Sequence, residues 1–264
     1  KKFKDVHNLN VTGLQSIQQD KFETTNISVN GIPAETQSYN RLGDASQITG
    51  ANTNLTEWTL LSYMGRVNYD YKEKYLLTAT VRMDGSSRFG ANTKFGIFPS
   101  VAFGWNISEE PFIKDVAAID QLKLRASWGA IGNQAINPYQ TQSLLGRTAY
   151  AWDNTAAYGY RPNTIGNPDL RWETSTTKNI GLDFSFLRGR ISGTAEYYVT
   201  NTTDLLAPQP LPTSIGFGGF TTNIGETQNS GIELTLNTVN VDRGDFQWTS
   251  DLIFTKNKEE IVSL

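Results

Sequence analysis

The segment Leu61–Tyr71 reads LSYMGRVNYDY, and after Lys72–Lys74 the segment Tyr75–Asp84 reads YLLTATVRMD. In both segments the odd positions are apolar or aromatic, and the even positions are mainly polar or charged. Because successive side chains of a strand point to opposite faces, this period of two predicts β-strands with one apolar and one polar face. Two such strands around three polar residues predict a hairpin with a tight turn.

The same alternation recurs along the chain and predicts about ten sequential antiparallel strands. Two strands upstream of the hairpin are predicted at 6–18 and 21–29. Downstream, alternating segments occur at 101–107, 122–128, 179–186, 191–200, 232–236 and 248–254.

Short and long connections alternate between these segments. The short ones lie at 72–74, 187–189 and 242–245, with a longer turn at 108–120 that includes one helical turn at Glu109–Ile113. The long ones, rich in Gly, Asn, Thr, Pro and aromatic residues, lie at 31–56, 85–94, 132–168 and 201–229. In an up-and-down meander, alternate connections emerge at opposite ends of the sheet. Tight turns at one end and long loops at the other are typical of an outer-membrane barrel.

The strands of a soluble β-sandwich also alternate between apolar and polar residues. The residues on the two faces of the predicted sheet therefore have to distinguish a sandwich from a membrane barrel. The apolar faces carry no Lys, Arg, Asp or Glu, and aromatic residues concentrate near the strand ends, as in an interfacial girdle. The opposite face carries charges that suit a watery lumen, where we expect them to pair across strands or with a plug: Arg66, Asp70, Arg82, Asp84, Lys123, Arg125, Asp183 and Glu196.

Composition excludes several other classes. The 264 residues are 38% hydrophobic, and none of their apolar runs reaches the roughly 18 residues that a membrane helix needs. The net charge of −3 does not indicate nucleic-acid binding, and the lack of Cys excludes disulfides and thiolate chemistry. His7 is the only histidine and has no neighbouring nucleophile, which argues against a catalytic triad. We predict no catalytic residues, no metal site and no cofactor.

Ordered blocks of sequence closely resemble the SusC/RagA family of TonB-dependent transporters. They extend over nearly the whole chain: Leu60–Tyr69 (LLSYMGRVNY), Tyr75–Gly90 (YLLTATVRMDGSSRFG), Phe98–Trp105 (FPSVAFGW), Ser108–Phe112 (SEEPF), Leu122–Gly129 (LKLRASWG), Gly132–Gln134 (GNQ), Asn167–Glu173 (NPDLRWE) and Asn229–Leu234 (NSGIEL).

The resemblance implies an all-β protein: an antiparallel up-and-down transmembrane β-barrel segment of about ten strands from a larger, plugged, 22-stranded barrel. It also implies short periplasmic turns and long extracellular loops in a Bacteroidota outer membrane. Members of the family import oligosaccharides or peptides with a SusD-like surface lipoprotein, and TonB supplies the energy. The alternatives are a soluble or surface-exposed glycan-binding β-sheet module, or a passive porin.

The two ends of the chain lead to an expectation about domains. Residues 1–264 are expected to be part of the barrel domain, with the N-terminal plug, through which TonB would act, and the final strands absent. The polar stretch Lys256–Glu260 is expected to form a turn rather than a closing strand.

One long loop combines aromatic with polar side chains in the way that sugar-binding sites do. Aromatic rings stack on pyranose rings, while carboxylate, amide and guanidinium groups bind hydroxyls. The candidate substrate-binding residues are Tyr150, Trp152, Asp153, Asn154, Tyr158, Tyr160 and Arg161. The alternative is that these aromatics pack the loop down or contact the lipoprotein.

Three further motifs have structural explanations. Asp84–Gly90 could bind a cation or clamp substrate through Arg88, but a loop in which glycines provide positive φ and Asp84 and Ser86 cap amides explains it as well. Ser214–Phe220 is expected to be a hinge or a protein contact. The pair Glu109–Glu110 is expected to be a solvated helix N-terminus rather than glycosidase carboxylates.

Overall fold

The computed structural model describes residues 2–4 and 6–264, which fold almost entirely into β-strands. The strands are β1 (Lys2–Phe3), β2 (His7–Asn30), β3 (Gln47–Tyr71), β4 (Tyr75–Ser86), β5 (Phe95–Asn106), β6 (Ile119–Asn133), β7 (Leu145–Trp152), β8 (Thr155–Pro162), β9 (Glu173–Phe186), β10 (Ile191–Thr203), β11 (Leu206–Pro210), β12 (Gly219–Asn223), β13 (Glu226–Arg243) and β14 (Phe246–Ser263). Short 3₁₀ segments lie at Glu35–Asp44, Ile107–Glu109 and Thr213–Ile215. In the described part of the chain, none of the helical segments is long and apolar enough to cross a membrane.

Ten of the described strands form one antiparallel sheet in the order β1-β2-β3-β4-β5-β6-β9-β10-β13-β14. The remaining four form two separate hairpins, β7-β8 and β11-β12, inside the two longest loops. The predicted up-and-down meander is therefore confirmed, with β1 and β14 at its two edges. Tight turns lie at one end, which we call the turn end, and the long connections lie at the other, the loop end.

The strand register assembles the alternating positions into one apolar belt. A single row of paired residues crosses seven strands: Tyr69, Leu77, Phe103, Ala126, Ile180, Tyr197 and Ile232. Five of its six large members are 41–50% exposed, from Phe103 to Ile180, and Tyr69 is half-buried. A sandwich would bury such a row between two sheets, whereas a lipid-facing wall leaves it uncovered.

Aromatic side chains gather where the belt meets the turn end. Tyr75 stacks between Tyr71 and Trp105, with ring centroids 6.3 and 6.4 Å apart, and Phe184 stacks on Phe186 at 5.6 Å. Their placement matches the predicted interfacial girdle.

Three strand boundaries differ from the prediction. The two upstream strands are one continuous strand, β2, and residues 47–56, expected in a loop, belong to β3. The polar stretch Lys256–Glu260 continues β14 instead of turning. Backbone hydrogen bonds between strands do not require apolar side chains. β2 therefore stays paired with β3 from His7 to Asn30, beyond the part in which apolar and polar residues alternate and predict a strand.

On the face opposite the belt, five of the eight charges named above form ion pairs within the wall: Arg82 with Asp84, and Arg125 with Asp183 and Glu196. Arg125 donates from Nε and Nη2 to the two carboxylate oxygens of Asp183 at 2.8 Å, and from Nη2 to Glu196 Oε1 at 2.5 Å. Gly181 lies between Arg125 and Glu196 in the register, and a side chain there would press on both. The absence of a Cβ therefore lets one guanidinium span three strands.

Candidate functional site

The loop end is fastened by a buried apolar cluster, which we call the loop core. Trp172 is its centre, with its ring centroid 5.0 Å from that of Phe89 and 5.4 Å from that of Phe98. The cluster draws on two different loops and the wall: Phe89, Phe98, Ile136, Leu170 and Trp172. Aromatic pairs at such distances stabilise packing beyond the burial of their area. The loops of this end are therefore held against the wall rather than free in solvent.

Backbone carbonyls from both loops complete the loop core. The indole Nε1 of Trp172 donates to the carbonyl oxygen of Lys94 at 3.1 Å, and Thr93 Oγ1 donates to the carbonyl oxygen of Leu170 at 2.6 Å. Each bond joins the β4–β5 connection to the segment that precedes β9.

Arg88, considered in the sequence as a substrate clamp, is used inside this arrangement. Its Nη1 donates to the carbonyl oxygens of Ile136 at 2.9 Å and Gln134 at 3.3 Å, and its guanidinium lies 4.4 Å from the ring centre of Trp58. Burial lowers the pKa of Arg88, and the charge of Asp20 partly opposes that shift. The geometry favours the structural interpretation of the motif.

The glycines of this motif act differently from the prediction. Neither Gly85 nor Gly90 is among the described residues with positive φ. Instead, a side chain on Gly85 would overlap the ring of Phe95, and one on Gly90 would meet the backbone of Pro168. They permit close approach rather than an unusual turn. Of the two expected caps, Ser86 Oγ accepts from the Arg88 amide at 3.2 Å, while Asp84 pairs with Arg82.

A second set of bonds ties the segment before β9 to the β11–β12 loop. Arg171 donates from Nη2 to Asp204 Oδ1 at 2.6 Å, and this bond raises the pKa of Arg171. The side-chain amide of Asn223 makes more of these bonds than the ion pair does. Its Oδ1 accepts from the Arg171 amide at 2.9 Å, and its Nδ2 donates to the carbonyls of Arg171 and Asp204 at 2.8 and 2.9 Å. One side chain therefore satisfies three backbone groups.

The seven candidate substrate-binding residues lie on the β7–β8 hairpin, and the structure divides them. Tyr150, Trp152 and Arg161 share one face, because Tyr150 pairs with Ala157, Trp152 with Thr155 and Arg161 with Gly146. Tyr158 and Tyr160 share the other face.

Asp153 and Asn154 form the tip of the hairpin, with φ of +47° and +59°. The four aromatic rings are 63–74% exposed. Arg147, not predicted from the sequence, lies over the ring of Tyr158 at 3.6 Å. Each face therefore offers two exposed rings and a guanidinium group.

Sequence reasoning missed a cavity of about 350 Å³ between the two longest loops. Tyr139 and Phe220 line it together with the amides of Asn137 and Gln140, and none of its described lining residues carries a charge. Tyr139 adopts a φ of +70°, and its hydroxyl accepts from the Glu57 amide at 3.0 Å. Rings and neutral polar groups of this kind suit an uncharged ligand group. Phe220, expected at a hinge or protein contact, contributes to this wall.

A larger cavity of about 480 Å³ opens on the charged face below the loop core. Arg82 is held there by both carboxylate oxygens of Asp84 at 2.9 and 2.8 Å, and its Nη2 donates to Ser62 Oγ at 3.0 Å. The side-chain oxygen of Gln134, by contrast, is buried without a partner among the described residues. The hydrogen-bond acceptor left without a partner in this cavity is thus the neutral amide oxygen of Gln134, whereas the Asp84 carboxylate is already paired.

At the turn end, the environment of Glu110 differs from the solvated helix N-terminus that the sequence predicts for Glu109–Glu110. Glu109 is exposed beside Lys114, but Glu110 is buried instead of capping a solvated helix. Tyr75 donates to its Oε1 at 2.7 Å, Trp105 Nε1 donates to the same atom at 3.1 Å, and Lys74 binds Oε2 at 3.2 Å. The bond from Tyr75, followed by the one from Trp105, lowers the pKa of Glu110. The carboxylate thereby anchors the β5–β6 turn to the aromatic girdle.

These features define a class of protein. An antiparallel meander with an exposed apolar belt, an internally paired polar face and fastened loops at one end is a wall segment of an outer-membrane-type β-barrel.

The chain belongs to the TonB-dependent receptor-like β-barrel family, which matches residues 4–260. That family comprises transporters and receptors and is not an enzyme class.

Named relatives and solved structures agree with this placement. TonB-dependent receptor P3 of Formosa agariphila is 36% identical over 259 residues, covering 98% of this chain and 26% of the relative. TonB-dependent receptor SusC of Bacteroides thetaiotaomicron is 40% identical over 222 residues, covering 79% of this chain and 21% of the relative. The RagAB peptide transporter structure superposes with a TM-score of 0.86 at 29% identity, covering 99% of this chain and 29% of that one. The chain thus spans about a quarter of the length of the curated relatives it matches.

Proposed function

We propose that this chain is part of an outer-membrane TonB-dependent transporter that imports oligosaccharides or peptides together with a SusD-like surface lipoprotein. The observation that carries the proposal is the exposed apolar belt opposite a charged, internally paired face, because such a wall requires lipid on one side and water on the other. Membership of the receptor family and similarity to SusC support it.

We further propose that residues 1–264 belong to a barrel domain whose plug and remaining strands lie elsewhere in the full-length protein. The turn end then faces the periplasm and the loop end faces the cell exterior. In that orientation the β7–β8 hairpin meets substrate first, with one face formed by Tyr150, Trp152 and Arg161 and the other by Tyr158 and Tyr160, while Asp153 and Asn154 bind from the tip.

The transport proposal is tested by uptake in cells that produce the full-length protein. Fluorescent dextrins and, separately, fluorescent tryptic peptides serve as probes, with and without collapse of the proton gradient. We expect gradient-dependent uptake of one probe class and co-purification of a surface lipoprotein. Uptake that persists without the gradient would indicate a passive porin instead.

The hairpin proposal needs paired variants. Replacing Tyr150 and Trp152 with Ala removes the rings of one face, and replacing Tyr158 and Tyr160 removes those of the other. Loss of ring stacking worth about 1.4 kcal/mol raises the KM for uptake about tenfold. Tyr39→Ala is the matched control, because Tyr39 is an equally exposed tyrosine in a different long loop, 79% exposed. An unchanged KM in both double variants would rule out substrate contact by the hairpin rings.

A further inference from the structure

The β5–β6 connection is held on the outer face of the wall. Tyr75 and Trp105 are register partners, two residues beyond the belt row of Leu77 and Phe103. Both donate to Oε1 of Glu110, at 2.7 and 3.1 Å. Because side chains two residues apart on a strand share a face, both donors project from the belt face, and the carboxylate that accepts from them lies on that face. The connection therefore runs beside the lipid-facing aromatic rings and not over the charged face.

Backbone hydrogen bonds give this connection a defined shape. The amides of Ile113 and Lys114 donate to the carbonyl oxygen of Glu110 at 3.0 and 2.9 Å, which forms the helical turn predicted from the sequence. The β9–β10 turn is joined to it, since the Leu187 amide donates to the carbonyl oxygen of Ala118 at 2.9 Å. The two neighbouring turns therefore form one ordered unit at the turn end.

This ordered unit leaves large apolar side chains uncovered. Phe112, two residues after Glu110, is 70% exposed, and Val116 and Leu187 are exposed as well. Leu187 has a φ of +57°, a conformation for which glycine or asparagine is the usual turn residue, so the turn itself does not explain an exposed leucine. Exposed apolar groups that continue an apolar surface mark a site of interaction.

We propose that the β5–β6 connection inserts Phe112 into the headgroup region of the lipid leaflet at the turn end, with Val116 and Leu187 beside it. The inference rests on the proposed function, because it requires the belt to lie in lipid. Aromatic rings are favoured at this depth of a membrane. Glu110 is the positioning residue, because its bonds to the girdle keep the connection against the wall.

The charges around the connection fit a lipid surface. Lys72 Nζ lies 5.3 Å from the ring centre of Tyr71, which stacks on Tyr75. Lys114 pairs with Glu109 at 3.5 Å, and both side chains are largely exposed. Lysine stems can lie along apolar surface while their ammonium groups stay at the level of the lipid phosphates. A protein partner fits less well, because three apolar side chains expose far less than the roughly 1,200–2,000 Å² that a stable protein interface buries.

The test uses the full-length transporter, reconstituted at low density into vesicles of phosphatidylethanolamine and phosphatidylglycerol. This chain has no Cys, so a nitroxide label can be attached to Phe112→Cys once any cysteine elsewhere in the full-length protein is replaced by Ser. Electron paramagnetic resonance compares collisions of the label with oxygen, which concentrates in lipid, and with a nickel chelate, which stays in water. We expect an oxygen-to-nickel collision ratio several-fold above that of Tyr39→Cys, in an exposed loop, and close to that of Val81→Cys, in the belt.

Two other outcomes would overturn the inference. A ratio equal to that of Tyr39→Cys would place Phe112 in water, and protection from both reagents would place it against protein. Val81→Cys separates this inference from the proposed function. A water-like ratio at Val81 would mean that the lipid-facing wall itself is wrong, whereas a lipid-like Val81 with a water-like Phe112 would remove only the insertion.

A second variant tests the positioning role of Glu110. Glu110→Ala in the Phe112→Cys background removes the side-chain bonds to the aromatic girdle, so the collision ratio should fall towards the value of a label in water. Glu109→Ala is the matched control, because the neighbouring Glu109 is exposed and pairs with Lys114 instead. An unchanged ratio in Glu110→Ala, or an equal fall in Glu109→Ala, would refute the positioning role. Heat-modifiable gel mobility checks that the barrel of each variant is folded.

Discussion

Leu170 offers the sharpest test of the loop core. Its side chain is completely buried, its carbonyl oxygen accepts from Thr93, and its amide donates to the carbonyl oxygen of Asn167 at 3.3 Å. Leu170→Ala removes one methine and two methyl carbons from a cluster that holds two loops against the wall. The strands keep their own backbone pairing, so we expect local opening of the loop end rather than loss of the sheet.

The size of the effect follows from full burial. A buried Leu→Ala change costs about 2–5 kcal/mol, since the lost transfer energy is joined by the energy of the cavity left behind. Each 1.4 kcal/mol is about a factor of ten in an equilibrium constant, so local opening should become about 30- to 4,000-fold more frequent. The hydrogen-exchange rate of amides that become accessible through this opening should rise by the same factor, up to the rate of an unprotected amide.

Hydrogen exchange with mass spectrometry on the full-length protein measures this directly, in peptides that cover 163–172 and in peptides from β9 and β10. Leu145→Ala is the control, because Leu145 belongs to the same connection but is 67% exposed, and its loss should change stability by less than about 0.5 kcal/mol. Unchanged exchange at 163–172 in Leu170→Ala would refute the fastening role of the loop core. Equal acceleration in β9 and β10 would show that the core supports the whole sheet instead.

Two further predictions concern the side-chain hydrogen bonds that hold the loops at the loop end and the β5–β6 turn at the turn end. Asn223→Ala should weaken the loop junction by about 1–3 kcal/mol because it leaves backbone groups without hydrogen-bond partners. Asp204→Ala should cost less than about 1 kcal/mol because its ion pair with Arg171 is largely exposed. Hydrogen exchange at 163–172 ranks the two variants, and a larger effect in Asp204→Ala would contradict this order. Because the pKa of Glu110 is lowered in the folded protein, its contribution to stability is present above its ordinary pKa and is lost as the pH falls through the lowered value. Protease resistance of the 107–118 turn should therefore decline at acidic pH in the wild type, and Glu110→Gln should abolish that dependence; an identical pH profile in the variant would exclude this carboxylate as the cause.

Much of the wall is encoded locally and could be predicted. Alternation in segments such as Tyr75–Asp84 assigns each side chain to a face, and the alternation of short and long connections fixes the meander. Prediction failed where polar strands extend past the belt, as in Gln47–Thr56 and Lys256–Glu260, because hydrogen-bonded backbone leaves no hydrophobic period to detect.

The candidate site was less accessible to prediction, since its parts are distant in sequence. The hairpin residues could be recognised as a group because they are close together in the chain. Their division between two faces depends on the Tyr150–Ala157 register and the two-residue tip, which composition does not reveal. The cavity between Tyr139 and Phe220 gave no signal at all, because it exists only where two loops meet.

By itself, then, the sequence determined the strand class, the apolar and polar faces and the family, since these depend on local periodicity and on ordered blocks of residues. Only the tertiary structure decided what the charged residues do. Glu110 is an anchor because Tyr75 and Trp105 converge on it, and Arg125 is neutralised because Gly181 leaves room for its guanidinium to cross a strand. The physical reason is that pairing and burial depend on register between strands, and register brings together residues that the chain keeps far apart.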